Sequence, residues 1–178
     1  MLESGTVVLT VGTYRREHFF RGYDRTKLLH GRLMEMVREQ EWEARSWSVF
    51  SNHYHIVLSG IADPRGFSTV MRQFHGRLSH ELNGIDGTRG RKVFHNYWDS
   101  NYHNEKSFLA RMRYVMQNPV RHGLVKSAVD YPFCSAAWFE RTEPRSFVAT
   151  LESFKIDRVS IPDEFEPVWD ADKRIRLS

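Results

Sequence analysis

The sequence predicts an α+β fold in which an antiparallel sheet carries helices on one face. Segments of strand-like and helical periodicity occur in the order strand, helix, strand, strand, helix, strand. The second and third strands follow each other almost directly, so we expect them to pair as a hairpin. This order is the ferredoxin-like split βαβ arrangement, and an additional helical pattern follows it.

Composition favours one folded domain with an appended segment. The 178 residues are 40% hydrophobic, which is enough for a core. We expect residues 1–138 to form the domain and residues 139–178 a C-terminal tail packed on it. A membrane-length apolar run and a signal-peptide pattern are both missing, so we expect a soluble cytoplasmic protein. Cys134 is the only cysteine, which excludes an intrachain disulfide and a cysteine zinc cluster.

Charge is unevenly distributed along the chain. Residues 139–178 contain 7 basic and 9 acidic residues, and residues 1–138 contain 19 basic and 13 acidic residues. A basic body suits a polyanion such as nucleic acid, because bound phosphates release counterions. A solvated basic surface would give the same composition.

The first strand and first helix follow from local composition. Residues 6–13, TVVLTVGT, are β-branched and apolar and predict a strand. A basic, aromatic loop follows. The first helix should begin near Asp24 or Thr26, which are good N-caps, and end near Glu41. Its apolar residues recur at helical spacing: Leu29, Leu33, Met36 and Val37.

The third strand carries two histidines on one face. We predict strands over 45–51 and 53–59, the second within SNHYHIVLSG. Side chains alternate along a strand, so His53 and His55 share one face. Tyr54, Ile56 and Leu58 form the opposite, apolar face. If the helices cover that apolar face, both histidines lie exposed on the open face of a central strand.

A second helix and a fourth strand complete the predicted sheet. The helix follows Asp63, and its apolar residues are Phe67, Val70, Met71, Phe74, Leu78 and Leu82. Its other face carries Arg72, His75 and Arg77. A glycine-rich basic loop, 83–92, leads to a strand at 92–100.

The third helix presents a tyrosine away from its apolar face. It should extend from Asn104 to about Gln117. At 100° per residue, Tyr114 lies roughly 160° from the centre of the apolar arc. Asn118 would lie beside Tyr114 if the helix extends that far. Pro119 disfavours helical geometry at Asn118. Asn118 could instead cap a short helix that begins at Pro119.

Two motifs together resemble a known family. NHYHIVLS, followed about 60 residues later by YVMQNPVRHGLV, resembles the single-tyrosine HUH transposases. It is most similar to the REP-associated tyrosine transposases of bacteria. The first segment matches the His-hydrophobic-His motif, with Tyr54 as its middle residue. The second matches a catalytic tyrosine followed by Asn-Pro-Val-Arg and Gly-Leu-Val. Supporting similarity extends from about residue 7 to about residue 138.

The resemblance implies a DNA transposase with an HUH endonuclease site. His53 and His55 would bind a catalytic divalent metal, Tyr114 would be the nucleophile, and Asn118 would complete the metal site. The substrate would be single-stranded DNA with a REP-like hairpin, cut through a 5′-phosphotyrosine intermediate in DNA transposition and recombination. Two features depart from the family: His122 replaces a usual small residue, which we expect to matter little, and residues 139–178 match nothing.

The chemical types of the candidate ligands limit which divalent metal the site would prefer. Two imidazoles on alternate strand positions leave coordination positions open for phosphate oxygens. Mixed nitrogen and oxygen ligands suit Mn²⁺ better than Mg²⁺, whereas an Asn oxygen, a phosphate and waters would bring the site closer to Mg²⁺. We therefore expect Mg²⁺ or Mn²⁺.

Basic residues interleaved with aromatics indicate contacts to single-stranded DNA. The loop YRREHFF offers Arg15 and Arg16, although its phenylalanines could simply close the core. The other candidates are Arg72, Arg77, Arg91, Lys92 and Arg121, and Arg91 and Lys92 could equally be solvated loop residues.

Other enzymes with a His-x-His pair carry further motif residues that this sequence lacks. A metallo-β-lactamase-like site would continue with Asp and His, and a two-histidine phosphoesterase would repeat its motif; the sequence does neither. A catalytically silent DNA-hairpin-binding protein of the same fold is the alternative function, although the histidines and the tyrosine are all present. Both a monomer and a homodimer are consistent with the sequence.

Overall fold

The computed structural model describes residues 5–101, 104–157 and 159–170, so the ends of the predicted domain and tail lie outside them. Its four-stranded sheet has the order β2-β3-β1-β4, and all neighbouring strands are antiparallel. This confirms the predicted α+β class. The strands are β1 (Val7–Thr13), β2 (Glu43–Val49), β3 (His53–Ser59) and β4 (Phe94–Asn101).

The first three helices follow the predicted order, and residues 136–153 add two helices that were not predicted. The α-helices are α1 (Tyr23–Glu39), α2 (Pro64–Ile85), α3 (Glu105–Arg121), α4 (Ala136–Thr142) and α5 (Arg145–Ser153). Strand β2 ends two residues earlier than predicted, because the Phe50 N–H turns to donate to the His53 carbonyl. Among the described residues, no helix combines the length and apolar character needed to cross a bilayer.

The apolar face of β3 packs as predicted. Tyr54, Ile56 and Leu58 are all fully buried. The Tyr54 hydroxyl and His75 Nε2 of α2 share a hydrogen bond of 2.8 Å. The His75 ring also stacks on Phe94 of β4, with 4.4 Å between ring centres. Helix α2 is therefore tied to the sheet by a partly buried polar contact at the edge of the apolar core.

The prediction that His53 and His55 are exposed is wrong. Their exposed fractions are 1% and 0%, and every residue of β3 is buried. Helix α3 packs on this side, with the His55 and Tyr114 rings 6.4 Å apart. The sheet is covered on both faces because the chain after β4 crosses back over the side that the first two helices leave open.

Helix α3 continues through Pro119, so the predicted end near Gln117 and the capping role of Asn118 are wrong. Pro119 cannot donate an intrahelical hydrogen bond, yet the helix continues past it to Arg121. The helix ends in a Schellman motif: Gly123 has φ +69°, and the Leu124 N–H donates to the Pro119 carbonyl at 3.0 Å. Asn118 is thus one helical turn beyond Tyr114.

Gly123→Ala should destabilise the protein, because a Cβ atom disfavours the left-handed backbone by about 1–2 kcal/mol. Gly31→Ala is the matched control. Gly31 lies in α1 with open space around it, so alanine should stabilise by about 0.5–1 kcal/mol. Urea unfolding followed by tryptophan fluorescence measures both changes. Equal effects of the two substitutions would contradict this account of the helix end.

The free energy of unfolding should decrease as the pH falls, and we expect His75 to contribute to this decrease. Burial lowers the pKa of His75 from 6.5 to about 4. Between these values the unfolded chain binds a proton that the folded chain does not, so stability falls as pH falls. The loss should reach about 3 kcal/mol at pH 4.

His75→Gln should therefore lose about 3 kcal/mol less than the wild type between pH 6.5 and pH 4. His80→Gln, at an exposed position of the same helix, controls for removal of a histidine. Urea unfolding at several pH values measures the slopes. Parallel slopes for the wild type and His75→Gln would contradict the assignment.

Candidate metal and nucleophile site

The two histidines are held rigidly by neighbouring strands. His55 pairs with Thr10 of β1, and the Thr10 hydroxyl lies 2.8 Å from His55 Nδ1. The Asn52 side-chain oxygen accepts a hydrogen bond from His53 Nδ1 at 2.9 Å. Both Nδ1 atoms are thus engaged, and both Nε2 atoms are directed elsewhere. This is the arrangement that orients histidine ligands toward a metal.

The Nε2 atoms of His53 and His55 suit a divalent metal. Both are buried without a hydrogen-bond partner, which is costly for a polar atom unless a ligand engages it. Burial lowers the pKa of His53 well below its usual range, and burial also lowers the pKa of His55. Both imidazoles are therefore neutral near pH 7, as metal ligation requires.

Helix α3 brings Tyr114 and Asn118 to this side of the sheet. The Tyr114 ring meets the His55 ring edge-on, and the Arg121 guanidinium carbon lies 4.6 Å from the centre of the Tyr114 ring. Asn118 is fully buried, and neither polar atom of its side chain has a hydrogen-bond partner. An unpartnered, buried amide on the same helical face indicates a position prepared for a ligand.

Asp163 is the residue at which these groups converge. The Tyr114 hydroxyl donates to Asp163 Oδ2 at 2.7 Å. Asp163 Oδ1 lies 3.6 Å from both His53 Nε2 and His55 Nε2 and 3.0 Å from His122 Nε2. In the described part of the chain, His53, His55 and Asp163 form a cluster whose possible ligand atoms all lie within 4.8 Å of one another.

Electrostatics keep Tyr114 protonated in this arrangement. Burial raises the pKa of Tyr114 well above its usual range, the hydrogen bond to Asp163 raises it further, and Arg121 opposes both effects. Burial alone would raise the pKa of Asp163, but His122 and His55 lower it far below its usual range. The site therefore holds an ionised carboxylate against an un-ionised phenol.

Asp163 belongs to a C-terminal segment, residues 159–170, that covers the site. Phe165 stacks on His53 with 4.4 Å between ring centres. It occupies space left by Gly12, where a Cβ atom would lie 2.5 Å from the Phe165 ring. Farther along, Trp169 packs among three aromatic rings, those of Tyr23, Tyr131 and Phe133.

Acidic residues of the C-terminal segment pair with arginines of the body. Glu164 lies 2.8 Å from Arg16, and Asp170 lies 3.2 Å from Arg21. The Val168 N–H also donates to the Ser51 hydroxyl at 3.0 Å. The segment is therefore held by charge at two points as well as by its aromatic side chains.

Several predicted DNA-contacting residues line two adjacent hollows. Arg15 and Arg16 border a pocket of about 340 Å³ with Trp98 and Phe165. Arg72, Arg91 and Lys92 line an open groove of about 640 Å³. His95 lies at the border of both hollows, so they form one continuous basic surface.

Besides Arg16, which pairs with Glu164, two further predicted basic residues have acidic partners within the body. Arg77 lies between α1 and α2, with its guanidinium 3.6 Å from the Glu39 carboxylate, and does not join the basic surface. Arg91 donates to Asp86 and Asn83, so its side chain holds the 83–92 loop in place. Arg121 is beside Tyr114 rather than in either hollow.

Sequence reasoning missed Asp163 and assigned little importance to His122. Asp163 is 49 residues beyond Tyr114 in the chain, and no periodic pattern connects the two. The acidic run PDEFEP was visible, but its position on the fold was not. His122 was visible as a departure from the family motif.

Comparisons with known proteins agree with the two motifs. A scan of family models gives no match. The chain is 25% identical over 134 residues to a REP-associated tyrosine transposase of Escherichia coli K12, covering 74% of this chain and 76% of that protein. It also matches the solved structure of a REP-associated tyrosine transposase bound to a REP hairpin, with a TM-score of 0.59 and 22% identity, over 95% of this chain and 93% of the other. The resemblance to these transposases is confirmed.

Trp169→Ala should loosen the C-terminal segment and expose Tyr114. Trp169 is partly buried, so its loss should cost less than the about 3 kcal/mol of a fully buried aromatic side chain, and nitration of Tyr114 by tetranitromethane should accelerate roughly tenfold. Peptide mass spectrometry measures the rate, with fully buried Tyr54 on the opposite face of β3 as the internal reference. Trp138→Ala, outside the segment on α4, is the control. Equal Tyr114 nitration in all three proteins would contradict the proposed cover.

Proposed function

We propose that this protein is a metal-dependent single-stranded DNA endonuclease and strand transferase, a transposase that acts near DNA hairpins through a 5′-phosphotyrosine intermediate. One observation carries the proposal: the Tyr114 hydroxyl and the His53 and His55 nitrogens converge on a single point, the Asp163 carboxylate. The relatives support it, since one is named a REP-associated tyrosine transposase and the other was solved with a REP hairpin.

His53 and His55 would hold Mg²⁺ or Mn²⁺, and the unpartnered side-chain oxygen of Asn118 is a suitable third ligand. Asp163 can provide an oxygen ligand while the C-terminal segment is closed. When bound, the metal would neutralise phosphate charge and polarise the phosphoryl group.

Tyr114 is the proposed nucleophile. Its phenolic oxygen gives up its proton and attacks phosphorus, and the bond from phosphorus to the 3′ oxygen breaks. The 3′ oxygen takes up a proton and leaves as a 3′-OH. The DNA then remains attached to Tyr114 through its 5′-phosphate. Arg121 faces the ring and favours the phenolate form. Because the covalent bond retains the phosphodiester energy, a 3′-OH can later attack it and rejoin strands.

Access to Tyr114 requires the C-terminal segment to move, because Tyr114 is only 2% exposed. We propose that residues 1–138 form the HUH domain and that residues 139–178 are an appendage covering its site. Moving residues 159–170 away would remove Asp163 from Tyr114 and Glu164 from Arg16. Both changes favour DNA, since they remove negative charge from the positions that phosphates would occupy.

The continuous basic surface is the proposed DNA contact. Trp98 is about half exposed, and Arg15 and Arg16 border the same pocket. An unpaired base could stack on Trp98 while the two arginines bind phosphates. Arg72 and Lys92 in the adjacent groove would bind the strand on its way to the hairpin.

A catalytically silent hairpin-binding protein is the second candidate. The observation that favours it is the closed site itself, in which Asp163 occupies the point of convergence and Tyr114 is buried and protonated. In this case the basic surface would bind DNA without cleavage.

The decisive assay uses labelled single-stranded DNA with REP-like hairpins and Mn²⁺ or Mg²⁺. Denaturing gels with and without protease reveal a protein-linked fragment. Tyr114→Phe should lower adduct formation by roughly 10³-fold or more and retain hairpin binding. Tyr131→Phe, a buried tyrosine outside the site, should retain the adduct.

Trp169→Ala provides the open form for the same assay. Adduct formation in this form, absent without metal, supports the enzyme. Hairpin binding with no adduct in either the wild type or the open form, across both metals, would establish the silent binding protein instead.

A further inference from the structure

We propose that His122 supplies a third imidazole nitrogen to the metal site of His53 and His55. The centre would then prefer Mn²⁺, Co²⁺ or Zn²⁺ to Mg²⁺. The inference rests on the proposed function only in requiring that the two strand histidines bind a divalent metal.

His122 is fixed at the end of α3. Its N–H donates to the Asn118 carbonyl at 2.9 Å, and Gly123 turns the chain immediately afterwards. The His122 side chain is 10% exposed. Its ring lies 5.2 Å from the His53 ring and 5.2 Å from the Phe50 ring, edge-on to both. The ring is thus enclosed against the histidine pair rather than directed to solvent.

Three imidazole nitrogens surround one oxygen atom. Asp163 Oδ1 lies 3.0 Å from His122 Nε2 and 3.6 Å from each strand Nε2. None of the three nitrogens has a hydrogen-bond partner, and neither does this oxygen. Once the His122 ring turns toward the strand histidines, a single cation would engage all three nitrogens, whereas the carboxylate oxygen lacks suitable hydrogen-bond geometry.

His122 stands slightly outside the tightest cluster. The ligand atoms that all lie within 4.8 Å of one another belong to His53, His55 and Asp163. The His122 ring must therefore turn toward the strand histidines to ligate with them. Such ligation requires rotation about its side-chain bonds, from a position in which the ring centre already lies 5.2 Å from that of His53.

Ligand type determines the metal preference. Imidazole binds Mn²⁺, Co²⁺ and Zn²⁺ well, whereas Mg²⁺ prefers oxygen ligands and retains waters. Two imidazoles with the Asn118 oxygen leave Mg²⁺ acceptable. A third imidazole tilts the donor set toward nitrogen, so the selectivity of this chain depends on the residue at position 122.

The competing role for His122 is to hold Asp163, and with it the C-terminal segment, by charge alone. The two roles separate when Asp163 is neutralised. In full-length Asp163→Asn the carboxylate charge is removed. If His122 only pairs with that charge, His122 then has no role in metal binding; if His122 is a metal ligand, it still binds the metal.

The test measures binding of Mn²⁺, Co²⁺ and Mg²⁺ alone by titration calorimetry, with the visible absorption of bound Co²⁺ as a second readout. His122→Ala is compared with His80→Ala, each in wild-type and Asp163→Asn full-length protein. We expect His122→Ala to weaken Mn²⁺ and Co²⁺ binding roughly 10- to 100-fold in both backgrounds. The Co²⁺ spectrum should change, and Mg²⁺ binding should change little. His122→Asn, suited to a helix end, should reproduce these results if alanine impairs folding.

Three results would overturn the inference, and they are distinguishable. An effect of His122→Ala that disappears in Asp163→Asn would assign His122 to holding the segment. Unchanged Mn²⁺ and Co²⁺ binding in His122→Ala, with binding lost in His53→Ala, would leave a metal site without His122. Metal binding that survives His53→Ala would overturn the proposed metal site itself.

Discussion

The buried carboxylate of Asp163 is the contact on which the described state of this protein depends. It joins three elements that are distant in sequence: the histidine strand β3, the tyrosine helix α3 and the C-terminal segment. Removing an ionised group from water is costly unless opposite charge or hydrogen bonds compensate. Here the Tyr114 hydroxyl donates to one carboxylate oxygen, and three imidazole nitrogens lie within 3.6 Å of the other. The position of the C-terminal segment is therefore linked to the residues of the site.

The same site contains several polar atoms that remain unpartnered. The Nε2 atoms of His53, His55 and His122 and both side-chain atoms of Asn118 have no hydrogen bond. Each would lower stability in a purely structural core. Their concentration around one point, with Thr10 and Asn52 orienting the strand histidines, fits the candidate metal site of His53, His55 and Asp163.

The acidic charge of the C-terminal segment and the accessibility of Tyr114 are connected, because the same segment provides the charge and covers the tyrosine. The acidic C-terminal segment pairs with Arg16 and Arg21, and it covers Tyr114, the proposed nucleophile. DNA phosphates would compete for similar positive positions, so binding of DNA and release of the segment are expected to be coupled. Aromatic packing of Trp169 determines how strongly the segment resists that competition.

The sequence by itself determined the order of strands and helices, the pairing of His53 with His55 on one face and the separation of Tyr114 from its helix's main apolar arc. These features depend on local periodicity, which a strand or helix expresses wherever it is placed. Only the tertiary structure decided that the histidines are buried, that α3 continues through Pro119, and that Asp163 and His122 reach the site. Those outcomes depend on how the chain returns across the sheet after β4 and after α5. Such a return is determined by packing between distant segments, and no short sequence pattern records it.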